Sequence, residues 1–309
     1  MTIGSLIGAM CQGSIWGVLV LGVYITYKVL NVADLTVDGS FATGGCIFAV
    51  SLIAGIDPTI SLILATLAGG LCGFVTGILI TKFKIPAILA GILTQLGLYS
   101  INLRILGDRA NISINKIVTN ISFLANKFTL TQTVAGMIVG IIVSIICIMI
   151  LYRLFGTEYG ASIRATGNNE QMIKALGVDT NKTKLFGIIL SNMLIGLSGA
   201  LLVQMNKYTD VGMGKGAIVY GLASIVIGEV LFAKANNFGI KLLSSVVGCI
   251  IFFYIRSFVI YLGMKANDMQ LLSSIIVAIA LCAPIVRENW KLKSDYIKKT
   301  KQSLLEKNK

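Results

Sequence analysis

Long apolar runs separated by short polar blocks organise this chain. Nine can be drawn: Ile3–Tyr27, Ser40–Gly55, Thr59–Ile80, Ile85–Leu106, Thr131–Tyr152, Lys184–Asn206, Gly216–Phe232, Ile240–Leu262 and Gln270–Val286. A hydrocarbon layer of ~30 Å asks for about 20 apolar residues per helical crossing, and most of the runs meet that length. The pattern predicts an all-α, polytopic integral membrane protein with about nine transmembrane segments, within a range of eight to ten. The second run is short and follows a polar hinge, which suggests a discontinuous or re-entrant helix. Glycines at Gly69, Gly73 and Gly77 have the spacing that lets helices approach closely in lipid. No internal repeat is obvious along the sequence.

Composition agrees with the pattern. Of 309 residues, 56% are hydrophobic and 13% charged, with a mean hydropathy of +0.87, whereas soluble domains carry about 25% charged residues. The net charge of +13 has a topological explanation, because Lys and Arg collect in cytoplasmic loops. With a cytoplasmic C-terminus and alternating spans, eighteen basic residues fall on the inner side against seven on the outer, and Arg256 lies inside a span. That asymmetry favours an outer N-terminus and an inner C-terminus, and an even number of spans would move the N-terminus inside without changing the later loops. Residues 1–286 then form the membrane domain, with an outer loop at 107–130 and an inner loop at 153–183, and residues 287–309 form a basic cytoplasmic tail. The basic residues lack the interleaved aromatics of a nucleic-acid surface, so no nucleic-acid partner is expected.

Covalent chemistry is poorly provided for. Histidine is absent, and the six cysteines sit in apolar runs without metal-type spacing. There is no G-X4-G-K-[ST] phosphate loop and no Ser/His/Asp set. No catalytic residue, metal or cofactor is expected, and any ATP hydrolysis must come from another subunit.

The inner loop is the most informative stretch. Its helical part, Ala161–Leu176, interleaves Ile163, Met172, Ile173 and Leu176 with Arg164, Asn168, Asn169, Glu170 and Lys174, and Gly177 is a natural stop. Such an amphipathic element either joins two spans along the membrane surface or docks into a groove of a soluble partner. Polar residues within or beside the runs are the other candidates: Asp34, Thr36, Asp38 and Ser40 at the hinge, then Gln95, Asn102, Arg104, Asn192, Gln204, Glu229 and Arg256. Each is a pathway candidate, since polar groups in hydrocarbon face protein or water. Asp34 and Asp38 also suit the capping of broken helix ends. Glu229 and Arg256 differ in depth by about 18 Å, so no direct pair between them is expected.

The residues Gly160, Arg164, Ala165, Gly167, Asn169, Ala175, Leu176, Gly177 and Val178 resemble the cytoplasmic coupling segment of bacterial ABC importer permeases of the branched-chain amino acid permease family. The hinge LNVADLTVDGSFATGG and GDRANISI at Gly107–Ile114 resemble its tryptophan/tyrosine branch, with Ala33 and Asn168 as small departures. The likeness runs from about Gly13 to Pro284. It implies a homodimeric permease in the bacterial cytoplasmic membrane, paired with ATPase subunits inside and a solute-binding protein outside. The inner segment, including Glu170, would then contact the ATPase, and Arg109, Asn111 and Lys116 would face the binding protein. The solute would be an aromatic amino acid first, with branched-chain amino acids or nucleosides as runners-up. A stand-alone secondary transporter or channel is the alternative of a different class.

Overall fold

The computed structural model describes residues 3–263 apart from 116 and 234–236, together with 268, 271, 273–275, 277–279 and 282. Eleven helices and one short ribbon are found among them: α1 (Ile3–Tyr24), which ends in a π-turn (Ile25–Val29), α2 (Val37–Ile53), α3 (Pro58–Thr81), α4 (Ala87–Ile105), β1 (Asn111–Ser113), α5 (Asn120–Lys127), α6 (Gln132–Phe155), α7 (Glu158–Asn168), α8 (Glu170–Ala175), α9 (Thr180–Asn206), β2 (Tyr208–Asp210), α10 (Ala217–Leu231) and α11 (Phe238–Tyr261). Six are long and apolar enough to cross a bilayer: α1 with its π-turn, α3, α4, α6, α9 and α11. The two shorter apolar helices, α2 and α10, account for the second and seventh predicted runs. The ninth predicted run lies largely outside the described residues and the basic tail wholly so, as does Lys116.

Helix starts follow from local sequence. Asp57, Thr131, Thr157, Asn169, Asp179 and Asn237 each accept a backbone N–H at the head of the helix that follows, satisfying donors the helix cannot bond itself. Lipid-facing surfaces are equally plain. Ile63, Leu67, Leu71, Ile145, Met149 and Ile150 are exposed apolar residues on α3 and α6, a surface that only hydrocarbon or another protein can cover.

At the centre, α9 packs against α1, α2 and α3 through small residues. A Cβ on Gly69 would strike the Asn192 carbonyl, one on Gly44 the Gly196 carbonyl, and one on Gly199 the Phe41 carbonyl. These backbones therefore touch, as the Gly69/Gly73/Gly77 spacing predicts.

The two short helices share one device. α1 ends beside α7, and the chain then runs without helix to Asp34, which contacts Asn192, twelve residues into α9. At ~1.5 Å per residue that point is about 18 Å from the start of α9, roughly mid-depth. α2 starts there and runs toward the β-ribbon. Conversely, α9 ends beside the ribbon, the chain turns back through residues 211–216, and α10 starts next to Asp38 before running toward the α7–α8 end. Thus a span, a break and a half-span occur twice in opposite directions, a repetition the sequence does not display. With 17 and 15 residues, the half-spans reach only about 26 and 22 Å.

Among the described residues the fold departs from all-α at one place. β1 and β2 pair antiparallel, Asn111 opposite Asp210 and Ser113 opposite Tyr208. Strands of three residues in polar loops carry too little alternation to be read from sequence.

Candidate functional site

Polar residues converge at two places, the mid-depth hinge and the α7–α8 hairpin. At the hinge, Asp34 Oδ1 accepts the Thr36 N–H at 2.9 Å and Oδ2 accepts from Asn192 Nδ2 at 2.8 Å. Ser40 Oγ donates to Asn192 Oδ1 at 2.6 Å, and the Thr36 and Thr76 hydroxyls lie 2.7 Å apart. All five side chains are buried. Three of the predicted path residues, Asp34, Thr36 and Ser40, are thus tied into one closed network that satisfies a carboxylate far from water.

Asp38 does something different. Its Oδ2 accepts the Gly216 N–H at 2.9 Å and its Oδ1 the Ile218 N–H at 3.1 Å. The carboxylate in the first turn of α2 therefore caps the head of α10, so the positive ends of two helices meet on one anion. Capping by these aspartates is the reading the hinge sequence suggests, although nothing local to Asp38 identifies which helix it caps.

Beside Asp38 lies a cavity of about 160 Å³, lined by Asp38, Gly39, Gln95, Leu96, Tyr99, Asn102, Val211 and Lys215. Three predicted residues, Asp38, Gln95 and Asn102, come together here. Gln95, Tyr99 and Asn102 are spaced four and three apart and share one face of α4. Tyr99 and Lys215 were not singled out from sequence, although that spacing marks Tyr99. Among the described residues, neither the nitrogen nor the oxygen of the buried Asn102 amide has a hydrogen-bond partner, a state that costs about 1–3 kcal/mol per group.

The remaining intramembrane candidates are dispersed. Gln204 is buried at the ribbon end of α9, with its amide unpartnered. Glu229 pairs with Lys28 at 2.8 Å. The Arg256 guanidinium sits 5.7 Å from the ring centroids of both Tyr220 and Phe253. Glu229 and Arg256 therefore keep apart, as their depths require.

At the other site, α7 and α8 form a hairpin at the end of the bundle. α7 is seated closely: a Cβ on Gly160 would strike the Leu154 carbonyl, and one on Gly167 the Val29 carbonyl of the π-turn. Glu170 binds Lys184 at 2.5 Å and Lys174 at 2.9 Å and accepts from the Thr180 hydroxyl at 3.1 Å. Hydrogen bonds from Lys184 and then Lys174 hold its carboxyl down at about 2. Asn169 caps α8 through the Met172 N–H at 3.0 Å, and Gly177 ends it at φ +83°, a conformation that favours glycine.

Arg164 does not project outward. Its guanidinium lies 5.5 Å from the Phe238 ring centroid, its Nε is buried without a partner, and it lines a pocket of about 540 Å³ with Arg153 and Asn237. The outward rim is instead made by Met172, Lys174, Ala175 and Leu176, with Leu176 72% exposed. At the opposite end, Arg109 and Asn111 are exposed around the ribbon.

Residues 5–282 match the family described as branched-chain amino acid transport system / permease component. A tyrosine transport system permease protein of Clostridioides difficile is 38% identical over 272 residues, 88% of each chain. A ribose import permease protein of Escherichia coli is 21% identical over 285 residues, 91% of this chain and 85% of that one. Among solved structures, PsaBC from Streptococcus pneumoniae in complex with Fab has a TM-score of 0.51 at 16% identity, covering 89% of both chains, a likeness of fold.

Proposed function

We infer that this chain, which belongs to the branched-chain amino acid transport system / permease component family as a multi-pass ABC importer permease, takes up aromatic amino acids handed over by an extracytoplasmic binding protein. The observation that carries the reading is the hairpin rim. Met172 and Leu176 are large apolar side chains, 52% and 72% exposed, held on a hairpin clamped by Glu170 and ringed with charge. That chemistry fits a groove on a soluble partner better than lipid alone. In the proposed machine residues 153–183 face the cytoplasm and dock on an ATPase subunit through this rim. Glu170 and Asn169 shape the segment, while Gly160 and Gly167 let it sit against the spans.

Two copies of residues 1–286 enclose the path, and residues 287–309 extend from it into the cytoplasm. Closure of the ATPase pair draws the two hairpins together and converts the path from inward-open to outward-open. The outer half of the path includes Asp38, Gln95 and Asn102. Asp34, Thr36 and Ser40 set the hinge, and Gln204, Glu229 and Arg256 are further polar positions along it. Arg109, Asn111 and Lys116 face the binding protein, which supplies most of the selectivity. The 38% identity to a tyrosine permease protein supports the aromatic cargo. Branched-chain amino acids and nucleosides use the same machinery and are the runners-up.

Purification of the chain from its own bacterium tests the reading. A subunit with a Walker-type phosphate loop should accompany the wild-type chain and be lost with Leu176→Glu, and reconstituted uptake should require ATP. Uptake by the purified chain alone, driven by an ion gradient, would overturn the importer machine.

A further inference from the structure

We propose that the cavity between the first turn of α2, α4 and the segment preceding α10 binds the head group of a free α-amino acid. The proposal rests on the importer reading and deepens it by naming where the solute is held. Its first support is a pair of opposite charges left apart. Asp38 and Lys215 line the same cavity of about 160 Å³, yet among the described residues neither takes part in an ion pair. A ligand with a cation and an anion on one carbon can bridge them, its ammonium toward Asp38 and its carboxylate toward Lys215. Asp38 has the capacity, because each carboxylate oxygen receives one backbone N–H and offers a second acceptor position.

The second support is independent. Asn102 is 1% exposed and lines the cavity, and neither atom of its amide has a partner. Buried amides are rarely left so. This one offers a donor and an acceptor together, as a zwitterion requires. Gln95 lies about two turns earlier on the same face and adds a second amide. Tyr99, exposed between them, presents an aromatic face beside Leu96 for the amino acid side chain. A sugar supplies neither charge, and a simple amine or carboxylate supplies one, so the cavity should discriminate among them.

The test uses the purified full-length chain in nanodiscs, with binding followed by thermal shift and by radioligand displacement. The probes are the proteinogenic amino acids, tyramine, 3-(4-hydroxyphenyl)propionate and ribose. At least one amino acid should bind, with the single-charge analogues and ribose about tenfold weaker or worse, a difference of about 1.4 kcal/mol. Lys215→Ala and Asn102→Leu should each weaken binding by a similar factor, and Lys215→Arg should restore it. Lys215 is exposed and in no ion pair among the described residues, so its variants report on the ligand rather than on folding. Failure of every amino acid to bind, equal binding of the analogues, or wild-type affinity in both variants would overturn the subsite. ATP-driven uptake in proteoliposomes separates the two readings. Uptake with unchanged KM in both variants removes the subsite and leaves the importer, whereas no ATP-driven uptake by wild type removes the importer itself.

Discussion

At the scale of single residues, Asn192 is the keystone of the hinge. Its amide nitrogen serves Asp34 and its oxygen receives Ser40, so one side chain satisfies an anion and a hydroxyl at once. Asn192→Leu leaves both stranded in a dry interior, a loss of about 3–5 kcal/mol by analogy with broken buried charge pairs. A melting curve of the variant in detergent should shift down by more than about 5 °C, and an unchanged curve would remove Asn192 from this role. The sequence makes part of this legible. Two aspartates within LNVADLTVDGS mark a break, since carboxylates at a membrane boundary must be capped or hydrated. What it hides is the identity of the partners. Asp38 meets backbone N–H groups 178 and 180 positions away, and a backbone amide has no residue type to read.

At the scale of elements, two features set the hairpin. Thr157, Asn169 and Asp179 begin three successive helices, and all three caps are visible as residue types. The clamp on α8 is less visible, because Lys184 reaches Glu170 from another helix. Glu170 titrates near 2 instead of its ordinary 4.5, so the clamp contributes its full stability above about pH 4.5. The contribution falls as pH drops from there toward 2, when the carboxyl is protonated. Hydrogen exchange should therefore find α8 protected at pH 6 and increasingly open near pH 3, while Glu170→Gln should be open at both. Equal protection in the variant at pH 6 would contradict the clamp. Arg164 teaches the opposite lesson about amphipathic patterns. Its spacing places it among the polar residues of an amphipathic element, yet its guanidinium lies over the Phe238 ring, while Met172 and Leu176 are the large apolar side chains left exposed.

At the scale of the whole molecule, the six long spans and two half-spans were legible as apolar runs because hydrocarbon imposes length and composition on sequence. The opposed repetition was not, because it relates directions of travel rather than residues. Nor was the ribbon, which brings the 107–130 loop against the segment after α9. Orientation can be checked directly. With a membrane-impermeant maleimide, Arg109→Cys should label in intact cells and Ala175→Cys only after permeabilisation. The reverse pattern would invert the assignment of loops 107–130 and 153–183.

The seat of α7 has a further consequence, for engineering. Gly160 and Gly167 rest on the carbonyls of Leu154 and Val29, so the hairpin is shaped to its own bundle as a tooth is to its socket. It is not a detachable adaptor. A graft of residues 153–183 into another permease carries the proposed docking rim but leaves Val29 and its π-turn behind. Swapping partners between such transporters therefore means exchanging the hairpin together with the end of α1, two stretches that lie more than a hundred residues apart in the chain.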